Sequence, residues 1–90
     1  MAEVVVVIPQ PFRRFAGNAV EVVSRGATVR GVLVSLRGDY PELVRRLLDD
    51  SDRPRRFLTL LLSGHAVTSN PDAEVAEGDR LIVLAPMAGG

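Results

Sequence analysis

The chain contains no cysteine, no lysine and no tryptophan, and it has a single histidine. Without cysteine there can be no disulfide, iron–sulfur cluster, zinc ribbon or thiol nucleophile, and the redox compartment leaves no mark on the sequence. All eleven basic residues are arginine, so Schiff-base chemistry on a lysine is excluded, as is any modification of a lysine side chain. Long apolar runs are missing too. The longest, Val4 to Ile8 and Leu81 to Ala85, are five residues each, against the roughly 20 a membrane helix needs. Neither sign of charge prevails, because eleven arginines face eleven acids. That balance argues against a protein built mainly to hold nucleic acid or an anionic membrane. The start Met1-Ala2-Glu3 is acidic where a secretory signal would be basic, so a cytoplasmic location is expected.

What remains is an ordinary apolar chain of one domain's length. Ninety residues leave no room for a second domain. Hydrophobic residues at 47% are too many for disorder. Val4-Val5-Val6-Val7-Ile8 is β-branched throughout and stops at Pro9, which predicts a strand buried on both faces. A loop is expected from Pro9 to Asn18, then a second strand over Ala19–Ser24 that pairs with the first, with Gly26 breaking the pattern. Thr28 is the expected N-cap of a main helix to about Arg37, because Val29, Val32, Leu33 and Leu36 share one helical face. Pro41 opens a shorter second helix to about Asp49, with Leu43, Val44, Leu47 and Leu48 on its apolar side. After a polar loop, Asp49 to Arg56, come a strand at Phe57–Leu62, a short edge strand at Ala66-Val67 and a last strand at Arg80–Ala85. This order predicts an α+β fold, a mixed sheet of four to five strands with the helices on one face. The first and last strands read as central. The helices can cover only one side of them, so the other side needs an oligomer or partner, or carries an exposed apolar patch.

Residues with obvious chemistry are few. His65 stands beside Gly64 in a turn with no second histidine or cysteine, and reads as a solvated residue before it reads as a base or ligand. Asp49, Asp50 and Asp52 lack the alternating spacing and glycine of a calcium loop. No glycine-rich phosphate motif occurs. Neither a metal nor a bound cofactor is expected. Arg45, Arg46, Arg53, Arg55 and Arg56 cluster in sequence. Up to Arg56 there are ten arginines and seven acids, net +3; beyond it one arginine and four acids give −3. A solvated charged face is the plain reading, and an acidic partner or RNA is what a binding patch of this kind would meet. The end of the chain is more distinctive. Pro86-Met87-Ala88-Gly89-Gly90 follows an apolar strand, and glycines without a Cβ can thread a narrow channel and leave a terminal carbonyl open. A free α-carboxylate is an inert anion at neutral pH and becomes an electrophile only when another enzyme activates it. Two terminal glycines alone would read as a fraying end.

The run Gly78-Asp79-Arg80-Leu81-Ile82-Val83-Leu84-Ala85-Pro86-Met87-Ala88-Gly89-Gly90 resembles the end of the ThiS/MoaD-type sulfur-carrier family: Gly-Asp, an apolar strand, proline, an apolar residue, a small residue, Gly-Gly. The valine-rich first strand, Phe15-Ala16-Gly17, Asp39-Tyr40-Pro41, Leu47-Leu48 and Arg56-Phe57 fall in the family's order. Ser63 stands where the family commonly has asparagine, and Ala85-Pro86 where many members have two prolines. The resemblance implies a ubiquitin-like β-grasp fold over residues 1–86 and a flexible tail at 87–90. It implies a carrier, not an enzyme, with Gly90 as the site of adenylation and thiocarboxylate formation. Gly89, Ala88, Met87 and Pro86 would then thread the partner's active site. ATP would be used by a ubiquitin-activating-like adenylating enzyme. The sulfur would pass to an accepting enzyme of the molybdopterin-synthase large-subunit or cysteine-synthase type. A ubiquitin-like modifier conjugated through Gly90, or a β-grasp binding module with an inert tail, are the alternatives. No nucleic acid or membrane partner is expected.

Overall fold

The computed structural model describes residues 1–86. In chain order it contains β1 (Ala2–Val7), a 3-10 helix (Gln10–Ala16), β2 (Glu21–Gly26), α1 (Val29–Ser35), a 3-10 turn (Leu36–Gly38), α2 (Pro41–Leu47), β3 (Thr59–Leu62), β4 (His65–Ala66) and β5 (Arg80–Leu84). The strands form one sheet in the order β2-β1-β5-β3-β4. β1 and β2 are antiparallel, as are β3 and β5, whereas β1 and β5 run parallel. The mixed five-stranded sheet expected from the sequence is present, with β1 and β5 at its centre.

Burial along β1 corrects one expectation. Val4, Val6 and Ile8 are fully buried, but Val5 and Val7 between them are only half-buried. The run is continuous in sequence, yet the strand is covered on one face, because the core built by the helices lies on that side alone. Leu81 and Val83 of β5 and Leu60 of β3 face the same core. Fully burying a leucine or valine contributes about 1.5–3 kcal/mol, so this inner layer carries most of the favourable folding energy.

The helices also differ in proportion from the sequence reading. Thr28 caps α1, its Oγ1 accepting from the Gly31 N–H at 3.0 Å, and Val29, Val32 and Leu33 are buried beneath it. But α1 ends at Ser35, where the chain tightens into the 3-10 turn, and α2 is equally seven residues long. There is no main helix with a lesser companion. Tyr40 sits before a proline and is held out of the helical region, so α2 must start anew at Pro41. The expected loop at Pro9–Asn18 is largely a 3-10 helix. It closes at Gly17 in the left-handed conformation, φ 64°, whose N–H donates to the Arg13 carbonyl. Buried Ala16, with Phe12 and Phe15 packed against the core, gives this helix its inward side.

β2 begins and ends two residues later than expected, and Gly26 is its last residue rather than a break. The reason is close packing of α1. A Cβ at Gly26 would lie 2.6 Å from the Val32 nitrogen and 2.8 Å from the Gly31 carbonyl carbon. Just before it, buried Ser24 donates its hydroxyl to the Val32 carbonyl at 2.8 Å.

Gly26→Ala is therefore expected to lower stability by about 1–3 kcal/mol, because backbone, not a movable side chain, occupies the space. Gly38→Ala, with nothing within 4 Å of its Cβ position, should be neutral or slightly stabilising. Urea midpoints of the two variants check this directly.

Candidate functional site

The last strand is the element that positions the C-terminal end. Its entry is fixed by Gly78 and Asp79. Gly78 adopts φ 85° and donates its N–H to the Glu3 carbonyl at 2.9 Å. Asp79 accepts from the Ala76 N–H at 2.8 Å and from the Ser63 hydroxyl at 2.9 Å. Ser63 itself has φ 46°, a left-handed conformation that asparagine tolerates better than most residues. Its bond to Asp79 ties the β3–β4 turn to the start of β5. Gly-Asp thus serves as a structural clasp that aims β5 between β1 and β3.

Register then locates the exit. Thr59 pairs with Leu84 and Val7 with Ile82, so Pro86, the 3-10 helix after β1 and the approach to β3 all lie at one end of the sheet. Ala85 packs on the core while Pro86 is exposed. Of the residues expected to act, Pro86 is placed here. Met87, Ala88, Gly89 and Gly90 lie outside the described residues.

The face of the sheet turned away from the helices is an apolar stripe. Val23 pairs with Val5 on β1, and β5 and β3 add Ile82, Leu61 and Leu84. Val23 is 58% exposed and Leu84 46%. The stripe is partly bridged: Arg80 on β5 reaches over β1 to Glu21 on β2, with Nη2 and Oε2 3.1 Å apart. Glu3 and Arg25 pair at 3.1 Å nearer the start of β1. The expected apolar patch is present, half-covered by an ion pair that a partner could displace cheaply, since exposed pairs are worth only about 0–1 kcal/mol.

The remaining candidates are peripheral. His65 stands exposed on edge strand β4, not in the turn itself. Among the described residues no group of three histidine, aspartate or glutamate side chains converges as metal ligands would. Asp49 instead organises its own loop, its Oδ1 accepting from the Arg53 N–H at 3.0 Å and the Ser51 N–H at 2.9 Å. Those two backbone bonds hold its carboxyl below the usual carboxylate range, with Arg55 and Arg53 adding attraction. Sequence reasoning missed the aromatic contacts at the exit end. Phe12 meets Phe57 edge-on at 6.3 Å and Phe15 at 6.5 Å, a clustering visible only once the 3-10 helix is in place.

A mixed sheet with its final strand at the centre, helices on one face and an exposed C-terminal exit defines a small ubiquitin-like β-grasp protein. The ThiS family model matches residues 6–90, and the chain belongs to that family. Among solved structures it is similar to a chain of the Amycolatopsis orientalis BexX/CysO complex, at 29% identity and TM-score 0.86, covering 97% of this chain and 99% of that one. Mycobacterium tuberculosis CysO matches at 26% identity and TM-score 0.83, covering 93% and 99%. The small archaeal modifier protein SAMP1 of Methanosarcina acetivorans matches at 26% identity and TM-score 0.83, covering 100% and 98%. No curated protein shows a significant match to the sequence. The described helices include none long and apolar enough to cross a membrane.

The Asp49 loop makes a pH-dependent contribution with a definite sign. A depressed carboxyl pKa stabilises the fold above the ordinary value of about 3.9 and loses that stabilisation as pH falls through the lower folded value. Wild type should thus unfold at higher urea than Asp49→Ala at about pH 6, and the gap should narrow towards about pH 2.

Proposed function

We propose that this protein is a sulfur carrier whose reactive group is the Gly90 carboxylate. The observation that supports the reading best is the agreement between the family match, which runs through residue 90, and the exposed exit of β5 beside Pro86. A partner enzyme uses ATP to convert the carboxylate to an acyl-adenylate, releasing pyrophosphate. A sulfide-level sulfur nucleophile then displaces AMP, leaving a thiocarboxylate that a second enzyme accepts as its sulfur source. The carrier contributes no catalytic group. Its part is to be held firmly while Met87 to Gly90 enter the partner. Ordering four residues costs about 4–8 kcal/mol at roughly 1–2 kcal/mol each, more than a small tail recovers. The Val5–Val23–Ile82–Leu61–Leu84 face supplies apolar area to offset it. The accepting enzyme is of the cysteine-synthase or the molybdopterin-synthase large-subunit type, and similarity to the CysO structures, one of them in complex with BexX, supports the carrier role common to both.

A second reading, a modifier conjugated to lysines of other proteins through Gly90, is supported by similarity to SAMP1. Intact mass distinguishes the two. A carrier incubated with its adenylating enzyme, ATP and a sulfur donor gains one oxygen-to-sulfur exchange, and deleting Gly90 abolishes it. A ladder of heavier protein adducts would instead identify a modifier, and an unchanged mass with every adenylating enzyme of the source organism would exclude both. On the sheet, Ile82→Asp should raise the KM of adenylation roughly tenfold or more while changing kcat little, because it removes docking area and leaves the chemistry untouched.

A further inference from the structure

The carrier reading uses the tail and the outer sheet face but leaves the arginine cluster unexplained. The fold divides that cluster. Arg45 and Arg46, on the last turn of α2, and Arg55, from the loop that follows, come together with Phe12 and Phe57 around a cleft of about 410 Å³. Two of the three cations are held in place. Arg55 donates Nε and Nη2 to the Arg45 carbonyl at 3.0 and 2.9 Å, leaving its other N–H groups free of that bond. The Arg46 guanidinium lies over the Phe15 ring, 4.4 Å from its centroid, and Arg14 approaches the same ring at 4.8 Å. Among the described residues Arg14, Arg46 and Arg55 form no ion pair with a carboxylate, and Arg45 has only Glu42, at 3.5 Å and well exposed. Three like charges line one aromatic-walled cleft that has no carboxylate of its own; Glu42 beside Arg45 and Asp49 near Arg55 offset part of that charge, and an entering anion would offset the rest. Phe57, 49% exposed, offers that anion an apolar floor.

We propose that this cleft is a docking site for an acidic, aromatic-bearing segment of a partner protein. Arginine forks bind carboxylates in pairs, and arginine with aromatic residues is the composition of interface anchors. Position adds to chemistry: Phe57 precedes Thr59 by as many residues as Pro86 follows Leu84, and Thr59 and Leu84 are register partners. A segment seated here grips the carrier at the root of its tail. An RNA strand fits less well. Arg45 and Arg55 also border a neighbouring cleft lined by Asp49, Asp50 and Asp52, where the repeating phosphates of a strand running past the site would meet carboxylates. A short segment instead places its acids within the arginine-lined cleft, whose own lining has no carboxylate. The identity of the docked segment as part of a tail-receiving enzyme rests on the carrier reading, but binding to the cleft does not.

The test uses the full chain labelled for NMR and a short synthetic peptide of alternating aspartate and phenylalanine. The peptide should shift the amide and arginine Nε–H signals of Arg45, Arg46 and Arg55 and the amides of Phe12 and Phe57. Its asparagine counterpart should not. Arg46→Glu should weaken binding roughly tenfold or more, and Phe57→Ala should weaken it without any change of charge. No shift, or shifts elsewhere, would overturn the proposal. So would tighter binding of inorganic phosphate or of single-stranded oligouridylate at the same signals. Deleting Gly89 and Gly90 should leave the cleft signals unchanged before peptide is added; a change would make the chain's own tail the occupant. Loss of the oxygen-to-sulfur exchange with peptide binding intact would count against the carrier reading alone.

Discussion

Everything about this molecule depends on the parallel pairing of β1 with β5. The last strand of the chain is not appended to an edge. It is inserted between the first strand and β3, with Leu81 and Val83 in the core. A central strand is held by ladders on both sides, so the point where the chain leaves the sheet is fixed as rigidly as any part of the fold. The Gly78-Asp79 clasp fixes the other end, through Glu3 on β1 and Ser63 beside β3. On the carrier reading, a terminal segment is delivered reproducibly into another protein only when its root does not move, and this arrangement suits that.

The same pairing decides which surfaces surround the exit. Because β1 runs parallel to β5, the 3-10 helix that follows β1 lies at the exit end. Because β3 is antiparallel, the arginine-bearing approach to β3 lies there too. Phe57 is far in sequence from Phe12 and Phe15, which share the 3-10 helix, and it meets Phe12 only through this topology. The acids of the C-terminal half, by contrast, are used internally or at the far end: Asp79 in the clasp, Glu77 accepting from the Glu3 N–H at 2.9 Å, Asp72 pairing with Arg30. The carboxylates near the exit-end arginines are instead those of their own stretch, Glu42, Asp49, Asp50 and Asp52.

Sequence patterning made the architecture legible where one physical rule decided the outcome. Thr28 capped its helix, β-branched runs became strands, and Pro41 opened α2. It failed where neighbours decided. The continuous valines of β1 could not reveal that only one face would be covered, since that depends on where both helices pack. Gly26 looked like a break because its real constraint, the backbone of α1 at Val32, is contributed by a later segment. Of the candidate site, the terminal motif was readable from residue order alone. The aromatic–arginine cleft was not, because the arginines were visible as a cluster but the rings that gather them were spread from Phe12 to Phe57.

The absence of lysine acquires a meaning in this geometry. On the carrier reading, Gly90 passes through an activated acyl state that any nearby amine would capture, yet the ninety residues present no ε-amine. Met1, at the start of β1, lies at the opposite end of the sheet. Val7 pairs with Ile82, so about six residues of β1 and four beyond Ile82 separate Met1 from Pro86, roughly 30 Å at about 3.3 Å per residue. Four residues beyond Pro86 reach no more than about 14 Å. Strand direction and composition therefore act together. On that reading the amines that can meet an activated end of this chain are those another molecule brings to it, and arginine, which stays protonated and non-nucleophilic, can fill the basic positions around the exit without competing for it.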